Sequence, residues 1–223
     1  MIRSRSWLFL AVILLVLFSC VVVSPQNAPV DTDTHFHYKF ANPRFLISNM
    51  EIDFDGTGQG TMKFTEQDHD DVENKFSLKA STIADFIALF DQLAFLKTKE
   101  VYQTPKDFSY LGVATIRYRR GSDEREVTFS YTENKTMKDL WDKFRSVENQ
   151  EYGLFKLELA VHYQPLDTPA QLKAIDNMLK DKKIAEPDRF LPILRQISTN
   201  DQIMTIARGQ AKKMIDFIES GKK

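Results

Sequence analysis

Six stretches of this chain alternate apolar and polar residues with a period of two. Phe36, Tyr38 and Phe40 interleave with His35, His37 and Lys39. Met50, Ile52 and Phe54 interleave with Glu51 and Asp53, and Met62 and Phe64 with Lys63 and Thr65. Phe76, Leu78 and Ala80 give a fourth run after the polar loop Glu66 to Glu73. Ala114, Ile116 and Tyr118, then Val127, Phe129 and Tyr131, give two more around Gly121-Ser122-Asp123. Successive side chains of a strand point to opposite faces, so this period demands a sheet with one buried and one solvated face. Asp55-Gly56-Thr57-Gly58-Gln59-Gly60 is glycine-rich turn chemistry between two of the runs, which makes them an antiparallel pair. Seventeen Phe residues supply an aromatic core for the buried side.

Helical spacing appears between and after these runs. Ile83, Phe86, Ile87, Phe90 and Leu93 form one apolar face, opened by a capping box of Thr82 with Asp85 or by Ser81. Asn134 is placed to cap a second helix carrying Met137, Leu140, Trp141, Phe144 and Val147. Phe86, Phe90 and Trp141 are expected to be buried against the sheet. Phe155, Leu157, Leu159, Val161 and Tyr163 then alternate as a strand would, while Tyr152, Phe155 and Leu159 also fit a helical face. Only Gly153 separates them from the preceding helix, so residues 150–164 lean towards its continuation until Pro165 to Pro169. Three helices follow. Thr168 with Gln171 opens the first, Pro187 the second, and Asn200 or Asp201 the third, which carries Ile203, Ile206, Ala207, Met214, Phe217 and Ile218. The fold class is α+β: an antiparallel sheet of about six strands with two packed helices, followed by an α-helical C-terminal unit.

The first residues carry a different signal. Arg3 and Arg5 precede an apolar run from Trp7 to Val23, interrupted only by Ser19 and Cys20. A positive segment before an apolar one is the secretory pattern, with the arginines held at the cytoplasmic face and the body outside. Leu17-Phe18-Ser19-Cys20 resembles the bacterial lipobox, which implies a diacylglycerol thioether on Cys20 and cleavage just before it. Two other readings stand beside it: ordinary signal-peptidase cleavage nearby giving a secreted protein, and retention as a single-span anchor. The division of the chain is therefore a signal peptide over 1–19, a lipid-anchored tether over 20–34, an α+β domain over 35–164 and a helical unit over 165–223. Cys20 is the chain's one cysteine, so the body has no thiol for a disulfide or a thiolate metal site.

Asp55-Gly56-Thr57-Gly58, Leu89-Phe90-Asp91 through Leu96, Asp107-Phe108-Ser109-Tyr110-Leu111-Gly112 and the arginine-bearing hairpin ending in Tyr131-Thr132-Glu133-Asn134 together resemble uncharacterised exported bacterial proteins of unknown function. The resemblance spans roughly residues 35 to 150. It implies export and an α+β fold, and no activity.

Chemical motifs are sparse. Glu51-Ile52-Asp53-Phe54-Asp55-Gly56 begins like a calcium loop, but Met62 stands where the twelfth-position Glu is required. His35 and His37 share one strand face and could begin a metal site, yet His69 and His162 are far away in sequence. Asp68-His69-Asp70-Asp71 is a hydrophilic loop able to hold a divalent cation weakly. Ser109 is not in a Gly-x-Ser-x-Gly elbow, and its aromatic neighbours suggest a packed loop. The glycines from Gly56 to Gly60 lead into a strand rather than a helix, so they cradle no phosphate. No metal or organic cofactor is expected. Basic and acidic residues number 30 and 31, a near-balance that argues against nucleic acid as partner.

The most functional-looking surface is Arg117, Arg119 and Arg120 on the second hairpin, joined by Arg125. Guanidinium forks suit carboxylate or phosphate groups, although Glu124 and Glu126 on the facing strand are ready cross-strand partners. The expected function is therefore a membrane-tethered extracytoplasmic binding or scaffold protein. It would hold the membrane by its lipid and meet a protein or anionic envelope partner. The alternative is a cell-envelope hydrolase with an active site assembled from scattered residues. A deep polar pocket gathering the named carboxylates or histidines would favour the hydrolase.

Overall fold

The computed structural model describes residues 32–66 and 70–221. The signal segment, Cys20 and nearly all of the tether lie outside the described residues, as do Asp68 and His69. Among the described residues, no helix is long and apolar enough to cross a membrane.

The sheet has six strands: β1 (Thr34–Ala41), β2 (Ile47–Asp55), β3 (Gln59–Glu66), β4 (Val72–Ser77), β5 (Val113–Arg120) and β6 (Asp123–Phe129). All pairings are antiparallel, in the order β4-β3-β2-β1-β5-β6. β1 is thus central, flanked by the strand next to it in sequence and by one that starts more than seventy residues later. The apolar set of every strand points to one side, as the alternation requires. Phe36, Tyr38, Met50, Ile52, Phe54, Met62, Phe64, Ala114, Ile116 and Tyr118 are almost wholly buried there.

Two helices cover that side. α1 (Ala80–Gln92) buries Ile83, Phe86 and Phe90. α2 (Lys135–Tyr163) buries Met137, Leu140, Phe144 and Val147 over its first half. Asn134 caps α2 as expected, its side chain accepting from the Met137 amide at 2.9 Å. Residues 150–163 continue this helix, which ends before Pro165 because proline supplies no amide to the ladder. Its second half serves another core. Leu157 and Val161 pack with α3 (Thr168–Lys180), α4 (Leu191–Thr199) and α5 (Thr205–Glu219) around Leu172, Ile175, Phe190, Leu194, Ile197 and Met214. The two cores therefore meet within α2, between Val147 and Leu157, and not at residue 165 where the chain turns.

Several local expectations are corrected. β4 begins at Val72 and ends at Ser77, so Leu78 and Ala80 are not strand residues. The Leu78 amide bonds to the Gly58 carbonyl at 2.9 Å, and the chain then turns into α1. Gly58 sits at φ 85°, where a Cβ would stand 2.3 Å from the Leu78 carbonyl oxygen, so only glycine fits. α1 has no local capping box. Its N-terminal groups are served from a distance: Glu186 accepts from the Lys79 amide at 2.7 Å and the Thr82 hydroxyl at 2.6 Å. Thr168 is the first residue of α3 and makes no capping bond. Asn200 organises a turn by accepting from the Gln202 amide at 2.9 Å, and α5 starts only at Thr205. Ile203 is buried ahead of that helix, while Ile206 is 60% exposed. Tyr131 lies beyond β6 and packs on Phe108 with ring centroids 4.7 Å apart.

Glu186 belongs to a buried polar joint between the two cores. Its own amide donates to Gln150 Oε1 at 2.6 Å, and Gln150 donates to Glu151 at 2.8 Å. Arg189 donates to Glu151 and to the Ser77 carbonyl, both at 2.7 Å. Burial pushes the Glu151 carboxyl above its ordinary range, opposed by Gln150 and Arg189. Removing one partner from such a joint would strand the other without its hydrogen bonds.

Candidate functional site

The face of the sheet opposite α1 and α2 is polar. Alternation puts the odd-numbered residues of β1, of β2 from Asn49 onward and of β5 there, and the even-numbered residues of β6, while Ile47 lies beyond a register shift and packs on the core. Registry then decides which of them meet. One row across the sheet reads Thr61, Asp53, His37, Arg117, Glu126. The next reads Asp55, His35, Arg119, Glu124. A cavity of about 250 Å³ opens over these rows, lined by His35, His37, Asp53, Arg117, Arg119 and Glu124 with the edges of Phe36 and Phe54.

The closest contact in it is His37 Nδ1 to Asp53 Oδ1, at 2.7 Å. Glu51 Oε1 lies 3.9 Å from the same nitrogen. These two acids came from the calcium-like stretch and the histidine from the strand beside it. Separately, each set lacks the ligands for a metal site. The β1–β2 registry joins them. Asp55, the third acid of that stretch, is used locally, its Oδ1 accepting from the Thr57 amide, the Thr57 hydroxyl and the Gln59 amide to hold the turn. Met62 is fully buried in β3, so no twelfth ligand arrives from there.

The four arginines do not form one surface. Arg117 and Arg119 face the cavity. Glu126 and Glu124 stand opposite them in register, yet neither guanidinium forms an ion pair or hydrogen bond among the described residues. Arg120 and Arg125 belong to the other side of the sheet. Arg125 lies over the Phe95 ring at 4.9 Å and donates to the Phe95 and Glu100 carbonyls at 2.8 and 2.6 Å. It thereby pins the segment after α1, and its fork is spent. Arg120 approaches Asp91 of α1 at 3.7 Å. Parity alone marks this separation, because Arg125 sits opposite Tyr118 in register.

Other candidates are placed as follows. Ser109 lies in a short 3₁₀ turn held by Asp107, which accepts from the Ser109 amide at 2.8 Å. That bond pulls the Asp107 carboxyl below its usual range. Tyr110 and Leu111 beside it are 57% and 40% exposed, so the loop is only partly packed, through Phe108 against Tyr131. Asp70 and Asp71 are described without the two residues before them, and Asp71 accepts from Thr65 at 2.7 Å. His162 is exposed near the end of α2.

One acid on the covered side carries an unusual charge state. Tyr38 is buried under α2, where the half-buried Trp141 donates to its hydroxyl at 3.2 Å. Trp141 is only half-buried: its ring packs edge-on against Phe129 at 5.3 Å, with the Arg145 guanidinium 5.7 Å from its centroid. Glu148 lies beside Tyr38. Burial pushes its carboxyl from 4.5 up to about 7, with Arg145 and Tyr38 pulling the other way. No protein-family model matches the chain and no curated protein does either, so the chemistry of the open face rests on its own residues.

Proposed function

We propose that this chain is a membrane-tethered extracytoplasmic binding protein, and that the open face of its sheet takes an anionic protein or envelope partner through Arg117 and Arg119. One observation carries the binding part. Two guanidiniums stand side by side in a cavity, on neighbouring outward positions of a rigid strand, without an ion pair of their own among the described residues. A preorganised guanidinium fork matches carboxylate and phosphate oxygens and loses little freedom on binding them. His35 and His37 add donors beside it. The tether rests on the leader pattern and the lipobox-like Leu17-Phe18-Ser19-Cys20, and the export reading also on the resemblance to exported bacterial proteins.

The experiment crosslinks partners in intact cells. Arg117→Gln with Arg119→Gln should abolish recovery of the partner captured by the wild type, with an unchanged melting temperature. Unchanged recovery would remove the open face from the reading. Metabolic labelling with a clickable fatty acid tests the tether: the wild type should be tagged and Cys20→Ala should not.

A second reading, an envelope hydrolase, draws on the His37–Asp53 pair, since a carboxylate that orients a histidine is the arrangement of a general base. Among the described residues no serine, threonine or cysteine lines the cavity, so water is the nucleophile in this reading. Turnover of ester or phosphoester probes that disappears in His37→Ala would favour it over binding alone.

A further inference from the structure

We infer that His37, Glu51 and Asp53 form a binding site for a divalent first-row metal ion of the zinc class, with its open positions facing the cavity of Arg117 and Arg119. One donor atom from each of the three residues can be chosen so that all lie within 4.8 Å of one another. His37 Nδ1 is 2.7 Å from Asp53 Oδ1 and 3.9 Å from Glu51 Oε1. An ion bound at about 2.0–2.2 Å from imidazole nitrogen and carboxylate oxygen holds tetrahedral donors about 3.3–3.6 Å apart, so the His37–Asp53 hydrogen bond would open by several tenths of an ångström to admit it, and Glu51 would close in by a similar amount.

Rigidity favours the site. β1 and β2 are interior strands of the sheet, and the ligands occupy fixed register positions, so little ordering remains to be done on binding. The His37 side chain is only 13% exposed, which fixes the ring with Nδ1 directed at the acids.

The charge balance points to a cation as well. Glu51 makes no hydrogen bond among the described residues, although its side chain is only 30% exposed. Its nearest nitrogen neighbours are His37 Nδ1 at 3.9 Å and the Lys39 ammonium at 4.0 Å. Lys63, opposite Glu51 on β3, pairs instead with Glu73 at 3.3 Å. Two carboxylates two residues apart on one strand face thus meet one histidine, with the Lys39 ammonium at the outer edge of ion-pair range from Glu51. A proton on Nδ1 satisfies the contact to Asp53, and a metal ion would replace that proton while also reaching Glu51.

One imidazole with two carboxylates suits zinc, manganese or iron(II) better than calcium or magnesium, which favour all-oxygen shells. Three protein ligands leave at least one position for water or an anion. Here that position opens towards two guanidiniums, so an anion held by the arginines could also complete the metal's shell. This last point rests on the anion reading above. The metal site itself does not.

The test is isothermal titration of zinc into the full-length protein in detergent, carrying an affinity tag without histidine. It is repeated on a Cys20→Ser background to remove the only thiol. One zinc should bind per chain. His37→Ala, and Glu51→Gln with Asp53→Asn, should each weaken binding by at least about 100-fold, the upper end of what outer-shell partners alone are worth. His162→Ala should change nothing. Arg117→Ala with Arg119→Ala should not weaken zinc binding, even where it abolishes partner recovery, which separates the two proposals. A wild type that binds no zinc at micromolar concentration overturns the site whatever the variants do. So does equal affinity in His37→Ala.

Discussion

On the covered face of the sheet, Phe36 stacks on Phe54 at 4.7 Å across β1 and β2. One residue further along, on the open face, His37 meets Asp53 across the same two strands at 2.7 Å. The ladder and the registry are shared, and only the direction of the side chains differs. The covered face gains its stability from burial, continuing through Phe86, Phe90, Phe144 and Tyr118 in contacts of 4.1 to 5.8 Å. The open face buries little and gathers charge instead. A single scaffold can therefore keep stability and recognition on opposite sides, so that changes to one leave the other largely alone. The fold tolerates polar specialisation on the open face because no described helix has to pack there.

The hardest test of that division is Phe90→Ala. Phe90 is 1% exposed and stacks on Tyr118 at 4.1 Å. Its truncation should cost about 3–5 kcal/mol in urea unfolding. A loss below about 1 kcal/mol would mean that this face is not the main source of stability.

Glu148 sharpens the comparison, because it brings a titrating acid to the covered side. Its carboxyl is raised from 4.5 to about 7, so between those values the folded state keeps a proton that the unfolded state has released. Stability should fall as pH rises through this window, and should be independent of Glu148 below it, where both states are protonated. Glu148→Gln should remove the slope and be more stable than wild type at pH 8 by about 1–3 kcal/mol. Parallel stability–pH curves for the two proteins would show that the acid is better solvated than its surroundings imply.

The smallest expected effect on stability is at the open face. Arg117→Gln with Arg119→Gln, which removes both charges without setting a carboxylate opposite Glu126 or Glu124, should shift the unfolding free energy by no more than about 0.5 kcal/mol. Neither guanidinium has an ion pair among the described residues to lose. A loss of several kcal/mol in this variant would show that the open face also holds the fold together.

Much of this was legible beforehand, and the reasons for the rest are specific. Period-two alternation marks which side chains share a face, since that depends only on the pleat of one strand. Helical spacing likewise identified Phe86 and Phe90 as core residues, and Asn134 as a cap, because its bond spans three residues. The cap of α1 was not legible. Glu186 lies over a hundred residues from Lys79, and nothing near Thr82 announces it. The continuation of α2 through residue 163 stayed ambiguous for a related reason. Phe155 packs edge-on against Phe64 of the sheet at 5.3 Å, while Leu157 turns into the second core, so both faces of that segment are apolar.

The candidate site divides along the same line. The sequence by itself determined that His35, His37, Glu51, Asp53, Arg117 and Arg119 point outward from strands, because each strand's apolar partners must point in. It could not determine that they meet. His37 opposes Asp53 only in one registry of the β1–β2 pair. It opposes Arg117 only because β5, arriving after three intervening strands and a helix, docks on the free edge of β1. A slip of two residues would preserve every inward and outward assignment and bring different residues together. Which registry wins is decided by the fit of the aromatic core under α1 and α2 and by the turns at each end. The parity of the open face was written in each strand, and its pairings were settled by packing on the opposite side of the sheet.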